Sequence, residues 1–162
     1  MSEVKKHVTM YSDGSAIKQI KDKKRYHGGA GVVLIYNGKE KHLSIPIEDG
    51  TNNISELLAP TFGLEALKES CKVTIFTDSM YCINVMTQWI HGWERRGWKT
   101  QNKGDVKNKD IIQRLQRACQ KHDVEWIHIK GHSGNKWNDL ADELACKASA
   151  SLKEIEESEI EC

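Results

Sequence analysis

A short pattern that occurs twice in this chain constrains how it can fold. Residues 8–14 read Val-Thr-Met-Tyr-Ser-Asp-Gly, and residues 73–79 read Val-Thr-Ile-Phe-Thr-Asp-Ser. Each copy predicts a hydrophobic strand that is followed by a hydroxyl residue, an aspartate and a small residue. Sites in sheets with parallel strands form beyond the carboxyl ends of the strands. If the two strands are parallel neighbours, about 4.8 Å apart, Asp13 and Asp78 project from one edge and can share a cation.

The remaining elements predict a mixed sheet of five strands. Asn37-Gly38 is a strong hairpin signal, so the first three strands should form an antiparallel meander. Helices that separate the fourth and fifth strands imply crossovers and parallel pairing. The predicted strands are 4–11, 30–36, 41–47, 72–77 and 123–129, and the predicted helices are 52–68, 79–89, 109–121 and 138–151. The fold class is therefore α/β, with helices packed on the sheet.

Composition is typical of one globular domain, which we place at residues 1–150. The chain has 162 residues, of which 38% are hydrophobic and 29% charged. It has no apolar run of membrane-spanning length and no apolar signal segment at its start, so we expect no membrane partner. Its five cysteines form no CxxC pair, which favours reduced thiols in a cytoplasmic protein over disulfides or a zinc site.

Charge is distributed unevenly along the chain. Residues 151–162 hold five glutamates against one lysine, and we expect this acidic tail to be frayed. Residues 16–27, a predicted loop, and residues 89–109, which are rich in tryptophan, each carry a net charge of +4. Local charge of this kind suits a polyanionic partner, although a solvated surface explains either stretch equally well.

Further carboxylates are candidates to join Asp13 and Asp78. Glu56 lies early in the first predicted helix, and Asp139 and Asp142 share a face of the last one. Each residue alone is better explained as a turn former or as a partner of the helix dipole. Together, oxygen ligands of this kind imply a hard cation, Mg²⁺ or Mn²⁺, and argue against zinc.

Several segments, in this order, resemble type 1 ribonuclease H of the bacterial kind. They cover nearly the whole chain, and the segment at 88–100 is the most specific of them. They are Tyr-Ser-Asp-Gly-Ser (11–15), Thr-Asn-Asn-Ile-Ser-Glu-Leu (51–57), Thr-Asp-Ser-Met-Tyr (77–81), Gln-Trp-Ile-His-Gly-Trp-Glu-Arg-Arg-Gly-Trp-Lys-Thr (88–100), Val-Lys-Asn-Lys-Asp (106–110), Val-Glu-Trp-Ile-His-Ile-Lys-Gly-His-Ser-Gly (124–134) and Asp-Glu-Leu-Ala (142–145).

The resemblance implies a ribonuclease H-like fold with helices on both faces of the five-stranded mixed sheet. It implies an endoribonuclease that cuts the RNA strand of RNA/DNA hybrids with two Mg²⁺ ions, leaving 5′-phosphate and 3′-hydroxyl ends. The four metal carboxylates are then Asp13, Glu56, Asp78 and Asp142, and His132 assists proton transfer or product release. Asp142 is preferred to Asp139 because the family's ligand lies ten residues after that histidine.

The resemblance also implies which residues bind the substrate. Gly14, Ser15 and Asn52 match contacts to the 2′-hydroxyls that distinguish RNA from DNA, and Asn53 adjoins them. Thr51 and Asn108 match a pocket for a phosphate of the DNA strand. Trp89 and Lys99 belong to a basic protrusion, at about 89–109, that grips the DNA strand. Trp93 and Trp98 should mainly pack within this protrusion. Met80 departs from the family at a position that is often glutamine, but methionine can still pack in the minor groove, so we expect altered contacts and not lost activity.

Two other functions are compatible with the same fold. One is a non-catalytic hybrid-binding protein, which the intact set of carboxylates argues against. The other is a nuclease or strand-transfer domain for DNA, which Thr51-Asn52-Asn53 and the tryptophan-rich segment argue against. The chain departs from bacterial relatives in the long basic loop at 16–27 and in Pro60 and Gly63, which interrupt a predicted helix. We expect a monomer.

Overall fold

Five strands and five α-helices make up the part of the chain that the structure, a computed structural model, describes: residues 4–131 and 134–161. A π-helical turn, Val85–Trp89, joins the second and third helices. The elements in chain order are β1 (Lys6–Lys18), β2 (Tyr26–Tyr36), β3 (Lys39–Glu48), α1 (Asn52–Glu65), β4 (Cys71–Thr77), α2 (Met80–Asn84), α3 (Ile90–Arg95), α4 (Lys109–Gln120), β5 (Asp123–His128) and α5 (Lys136–Glu161). None of the described helices is long and apolar enough to span a membrane.

The strands form one mixed sheet in the order β3-β2-β1-β4-β5. β1, β2 and β3 pair antiparallel, whereas β1–β4 and β4–β5 pair parallel. The predicted meander and crossovers are thus confirmed. The repeated pattern is paired in register, because Val8 lies opposite Val73 and Tyr11 lies opposite Phe76. The two copies therefore end at the same level of the sheet.

Helices cover both faces of this sheet, as predicted. Alternate side chains of a strand point to opposite faces, so Met10 packs in the core with Leu57 of α1, and Tyr11 packs on the other side with Ala141 of α5. α5 lies very close to β2, since a Cβ atom on Gly31 would sit only 2.0 Å from the carbonyl oxygen of Ala141. A larger residue at this position would push α5 off the sheet.

The helix α1 begins where the sequence predicts. The side chain of Thr51 accepts a hydrogen bond from the backbone N–H of Ile54, which satisfies a donor of the first turn. The helix continues through Pro60, although a proline inside a helix removes one backbone hydrogen bond. Pro60 is buried, as are most residues from Ser55 to Leu64, so packing stabilises the helix across this position.

The prediction of a loop at 16–27 was wrong at both ends. β1 continues to Lys18 and β2 begins at Tyr26, and these two residues pair with each other. Only residues 19–25 form the turn. Polar and basic side chains obscured the strands in the sequence, because this end of the hairpin extends beyond the hydrophobic core and its residues are at best half-buried.

The prediction that the last helix ends at Ser151 was also wrong. α5 continues to Glu161, so residues 152–161 are helical where we expected a frayed tail. The extension packs on the turn that joins β1 and β2. Glu156 is buried there and accepts hydrogen bonds from the backbone N–H groups of Ile20 and Lys21 at 2.8 and 3.1 Å.

Candidate active site

Asp13 and Asp78 lie at one edge of the sheet. Asp78 directly follows β4, which ends at Thr77. The sequence predicted that Asp13 also follows the end of a strand, and this was wrong. β1 continues beyond Asp13, which pairs with Gly31 of β2. The pairing of β1 with β4 stops at Tyr11, two residues earlier, which leaves both aspartates beyond the parallel ladder.

Glu56 reaches the same place from α1. The helix lies against β1 at Gly14, where an added Cβ atom would sit 2.5 Å from the backbone nitrogen of Glu56. Glycine therefore permits this approach. One ligand oxygen from each of Asp13, Glu56 and Asp78 lies within 4.8 Å of the others. The structure thus brings together three of the four carboxylates that the resemblance implied.

The electrostatics of this cluster are unfavourable for three bare charges. Burial, followed by the charges of Glu56 and Asp78, raises the pKa of Asp13 well above its usual range. Burial and the charge of Asp78 likewise raise the pKa of Glu56, while hydrogen bonds with Asp13 and the amide of Gly14 oppose that rise. Asp13 and Glu56 therefore hold protons at a pH where exposed carboxylates have lost theirs.

This donor set fits a hard divalent cation. Asp13 and Glu56 are only 5% and 7% exposed, and the Oε2 atom of Glu56 is buried without a hydrogen-bond partner. A buried polar atom without a partner is costly, and coordination to a cation would remove that cost. Carboxylate oxygens are the ligands that Mg²⁺ and Mn²⁺ prefer.

Asp142 borders the cluster from α5, and Asp139 does not. Asp142 lies outside the group of three, but its side-chain hydrogen bond and its charge both raise the pKa of Asp13. Asp139 is exposed in the first turn of α5 and is not among the main causes that raise the pKa of Asp13 or of Glu56. The preference for Asp142 over Asp139 as the fourth ligand stays a prediction.

His132 lies outside the described residues, so its placement stays a prediction. The loop that carries it starts next to the cluster. An added Cβ atom on Gly131 would sit 2.7 Å from Oδ2 of Asp78. β5, which leads into this loop, is held beside β4 by a hydrogen bond from the backbone N–H of Ile129 to the carbonyl of Thr77.

The residues expected to contact substrate lie in two places. Gly14 and Ser15 follow Asp13 on β1, while Thr51, Asn52 and Asn53 form the start of α1, with both asparagines exposed. Ser15 shares a hydrogen bond with Ser149 of α5 at 3.0 Å. These five residues therefore lie on, or directly before, the two elements that supply Asp13 and Glu56.

A second group lies along α2 and the segment that follows it. Met80 and Trp89 are 47% and 43% exposed, unusually open for large apolar side chains. Tyr81 contacts Trp89 edge to face and accepts a hydrogen bond from Asn108 at 3.4 Å. Lys99 forms an ion pair with Asp105. The ring of Trp93 contacts those of Trp89 and Trp98, at centroid distances of 6.2 and 6.3 Å, but Trp93 and Trp98 also pack against the main core and not only within the protrusion.

A comparison with models of protein families shows to which family this chain belongs. The family model described as RNase H matches residues 5–150 of this chain. The chain belongs to the RNase H family. The matched range contains all four carboxylates and both groups of expected substrate contacts, and it ends before the last eleven residues of α5.

Individual relatives agree with the family assignment. A ribonuclease H of Francisella philomiragia is 50% identical over 125 residues, which cover 77% of this chain and 82% of the relative. A ribonuclease HI of Vibrio parahaemolyticus is 44% identical over 144 residues, covering 89% and 90%. The crystal structure of LC9-RNase H1, a type 1 RNase H, matches with a TM-score of 0.82 at 28% identity, covering 93% of this chain and 75% of that one.

The sequence reasoning missed two residues, one beside this RNase H site and one at the far end of α5. The thiol of Cys146 contacts Oδ1 of Asp142 at 3.9 Å, and the spacing of four residues on one helix was the available signal. Glu156 holds the β1–β2 turn, as described above. The signal there was the apolar spacing of Ala145, Ala148 and Leu152, which continues the helical period to residue 156.

Proposed function

We propose that this chain is an endoribonuclease that hydrolyses the RNA strand of RNA/DNA hybrids. The observation that carries the proposal is the cluster of buried Asp13 and Glu56 with half-buried Asp78 at one edge of the sheet, in a chain of the RNase H family. The cluster supplies oxygen ligands and no thiol or imidazole among its three members, which suits phosphodiester hydrolysis with hard cations. The products would carry 5′-phosphate and 3′-hydroxyl ends.

Asp13, Glu56, Asp78 and Asp142 would hold two divalent cations, with Mg²⁺ as the physiological ion and Mn²⁺ as a substitute. When bound, the cations supply the charge that activates a water molecule and stabilises the leaving 3′ oxygen. The carboxylates must ionise to act as ligands, so Asp13 and Glu56 would release protons as they bind the cations. Asp142 would complete the site from α5.

His132 would move a proton or help product leave, from the loop that begins beside Asp78. An imidazole titrates near neutrality, which suits both tasks. The proximity of Gly131 to the Asp78 carboxylate supports this role, because the described part of the loop begins at the carboxylate cluster.

Recognition of the hybrid would divide between the two groups of contacts. Gly14, Ser15, Asn52 and Asn53 would read the ribose hydroxyls of the RNA strand beside the carboxylates. Thr51 and Asn108 would hold a phosphate of the DNA strand. Trp89 and Met80 would offer exposed apolar surface to the sugars and bases. Lys99 would leave its ion pair with the exposed Asp105 and bind a phosphate instead.

The remaining expectations concern the setting of the enzyme. We propose that it acts as a monomer in the cytoplasm. Four of the cysteines, Cys71, Cys82, Cys119 and Cys146, are free thiols, which suits a reducing compartment. Size-exclusion chromatography coupled to light scattering tests the monomer, since a mass near 18.4 kDa is expected.

The proposed activity is tested with three labelled duplexes: an RNA/DNA hybrid, duplex DNA and duplex RNA. Each is incubated with the protein in Mg²⁺ and in excess chelator. We expect cleavage of the hybrid alone, in its RNA strand alone, and only with the cation. Equal cutting of duplex DNA would favour a DNA nuclease, and tight binding of the hybrid without cleavage would favour a non-catalytic binding protein.

A further inference from the structure

The turn between β1 and β2 projects past the candidate active site. β1 runs parallel to β4, and both lead toward the edge that holds Asp13 and Asp78. β1 then continues for five residues from Asp13 to Lys18, about 16 Å at the roughly 3.3 Å rise of a strand. Residues 18–25, which we call the basic hairpin, therefore lie beyond the carboxylates, at the same end of the sheet.

The basic hairpin carries positive charge that its surroundings do not neutralise. Arg25 pairs with Asp49 at 2.6 Å, and Lys21 lies 3.5 Å from Glu159. Three lysines remain exposed, and the described part of the chain places no carboxylate within ion-pair distance of them: Lys18, Lys23 and Lys24.

The hairpin is held in place by the end of α5. The carboxylate of Glu156 accepts hydrogen bonds from the backbone N–H groups of Ile20 and Lys21, and from Nε2 of His27 at 2.8 Å. Its side chain is only 7% exposed. Residues 151–161 lie outside the range matched by the family model, so this anchor is a feature of the chain beyond that match.

From these observations we propose that the basic hairpin is an additional contact surface for the phosphate backbone of the nucleic-acid duplex, and that Glu156 is the residue that positions it. The inference rests on the proposed function. Unpaired lysines beside a cleavage site attract phosphates and release their counterions. Lys18 lies about 16 Å from Asp13 along the strand, with Lys23 and Lys24 in the turn beyond it, so the three lysines reach phosphates a few nucleotides away from the one that is cut.

The first test removes the three free charges together. The variant Lys18→Gln/Lys23→Gln/Lys24→Gln is compared with a control, Lys39→Gln/Lys41→Gln/Lys72→Gln, whose lysines are exposed at the opposite end of the sheet. On hybrids of about 20 base pairs we expect KM to rise roughly tenfold in the hairpin variant. The slope of log KM against log salt concentration should become shallower by up to about 0.9 for each phosphate contact that is lost. The control should match the wild type.

Substrate length makes this test specific. A hybrid of about six base pairs centred on the cut does not extend to the hairpin, so wild type and hairpin variant should cleave it with the same KM. A hairpin variant that behaves like the control on long hybrids, or that loses equally on short and long ones, would overturn the proposal.

The second test addresses Glu156. We expect Glu156→Ala to raise KM about threefold on long hybrids with little change in kcat. The control is Glu157→Ala, at the exposed neighbouring residue, which should match the wild type. In the background of the three lysine substitutions, Glu156→Ala should change KM no further. An equal rise in that background would show that Glu156 acts on the whole fold and would overturn its positioning role. The lysine test stands even if Glu156→Ala fails to fold.

The wild-type protein separates failure of this inference from failure of the proposed function. If the wild type does not cleave hybrids, the proposed function is wrong and the hairpin loses its substrate. If the wild type cleaves hybrids and the two lysine variants behave alike, only the hairpin proposal is wrong.

Discussion

Asp13 and Glu56 illustrate how catalytic side chains oppose stability. Both carboxylates are buried, and burial and neighbouring negative charge raise the pKa of each. Without a cation, ionising them costs free energy that the rest of the fold must supply. A neutral amide of the same shape would avoid that cost.

We therefore predict that Asp13→Asn stabilises the metal-free protein at pH 8 by roughly 1–3 kcal/mol, while it abolishes cleavage. Urea denaturation in excess chelator measures the free energy of unfolding. The exposed residue Asp139 provides the control, since Asp139→Asn should leave stability unchanged. A destabilised Asp13→Asn variant would show that this carboxylate is not crowded in the way described.

Asp142 and Asp139 give a second prediction at the scale of the residue. Only Asp142 interacts with Asp13, so Asp142→Asn should lower kcat at least about 100-fold in Mg²⁺, and Asp139→Asn should lower it less than about threefold. Steady-state cleavage of a hybrid measures both. The reverse order would refute the assignment of Asp142.

The carboxylates differ in how far the sequence predicted them. Asp13 and Asp78 followed from a repeated pattern, because parallel pairing in register brings equivalent positions together. Glu56 depended on the family resemblance, since nothing in a helical period shows that α1 approaches β1 at Gly14. The partnership of Cys146 with Asp142 depends on side-chain rotamers, which periodicity does not specify.

At the scale of the element, the extension of α5 is the main departure from prediction. A run of glutamates at a chain end usually indicates a solvated tail. Here, one of those glutamates satisfies two backbone N–H groups of the basic hairpin, so tertiary contacts stabilise a helix that local composition disfavours. Likewise, β1 and β2 extend beyond their predicted ends because they pair with each other.

Truncation tests this coupling between elements. A chain ending at Ser151 should lose the contacts of Glu156, which lowers Tm by roughly 5 °C and speeds amide exchange at Ile20 and Lys21. A chain ending at Glu157 keeps those contacts and should melt near the full-length protein. Equal melting of both truncated chains and the full chain would show that the extension does not support the hairpin.

At the scale of the whole molecule, stability should depend on pH and cations together. Asp13 and Glu56 have higher pKa values when folded than the value near 4 of an unfolded chain. Their protonated forms therefore favour the folded state, and this contribution is complete below about pH 4 and is lost as the pH rises through the higher folded values. Bound cations favour the ionised forms and oppose this loss.

We accordingly predict that the stabilisation by Mg²⁺ grows with pH. Thermal melting at pH 5.5, 7 and 8.5, in chelator and in Mg²⁺, should show a difference in Tm that increases at each step. Asp13→Asn, which lacks one of the titrating groups, should show a smaller increase. A difference that is constant with pH would contradict the raised pKa values.

The order and direction of the strands were more predictable from the sequence than the residues at which the elements end. Strand order and the sense of pairing follow from hairpin signals and crossovers, which have few solutions. The positions at which β1, β2 and α5 end depend on contacts between distant segments, such as Lys18 with Tyr26 and Glu156 with Ile20. Those contacts join segments that are distant in the sequence, and the apolar spacing that continues the period of α5 is a local signal for that helix alone.

The most direct test of the account is a titration of Mg²⁺ against single-turnover cleavage of a hybrid whose strands are labelled in turn. The wild type should not cut in chelator, and its rate of cutting the RNA strand should rise with the Mg²⁺ concentration. The Asp78→Asn variant should leave the hybrid uncut at every Mg²⁺ concentration. Cleavage that persists in chelator, or an Asp78→Asn variant that retains the wild-type rate, would contradict a cation site built from these carboxylates.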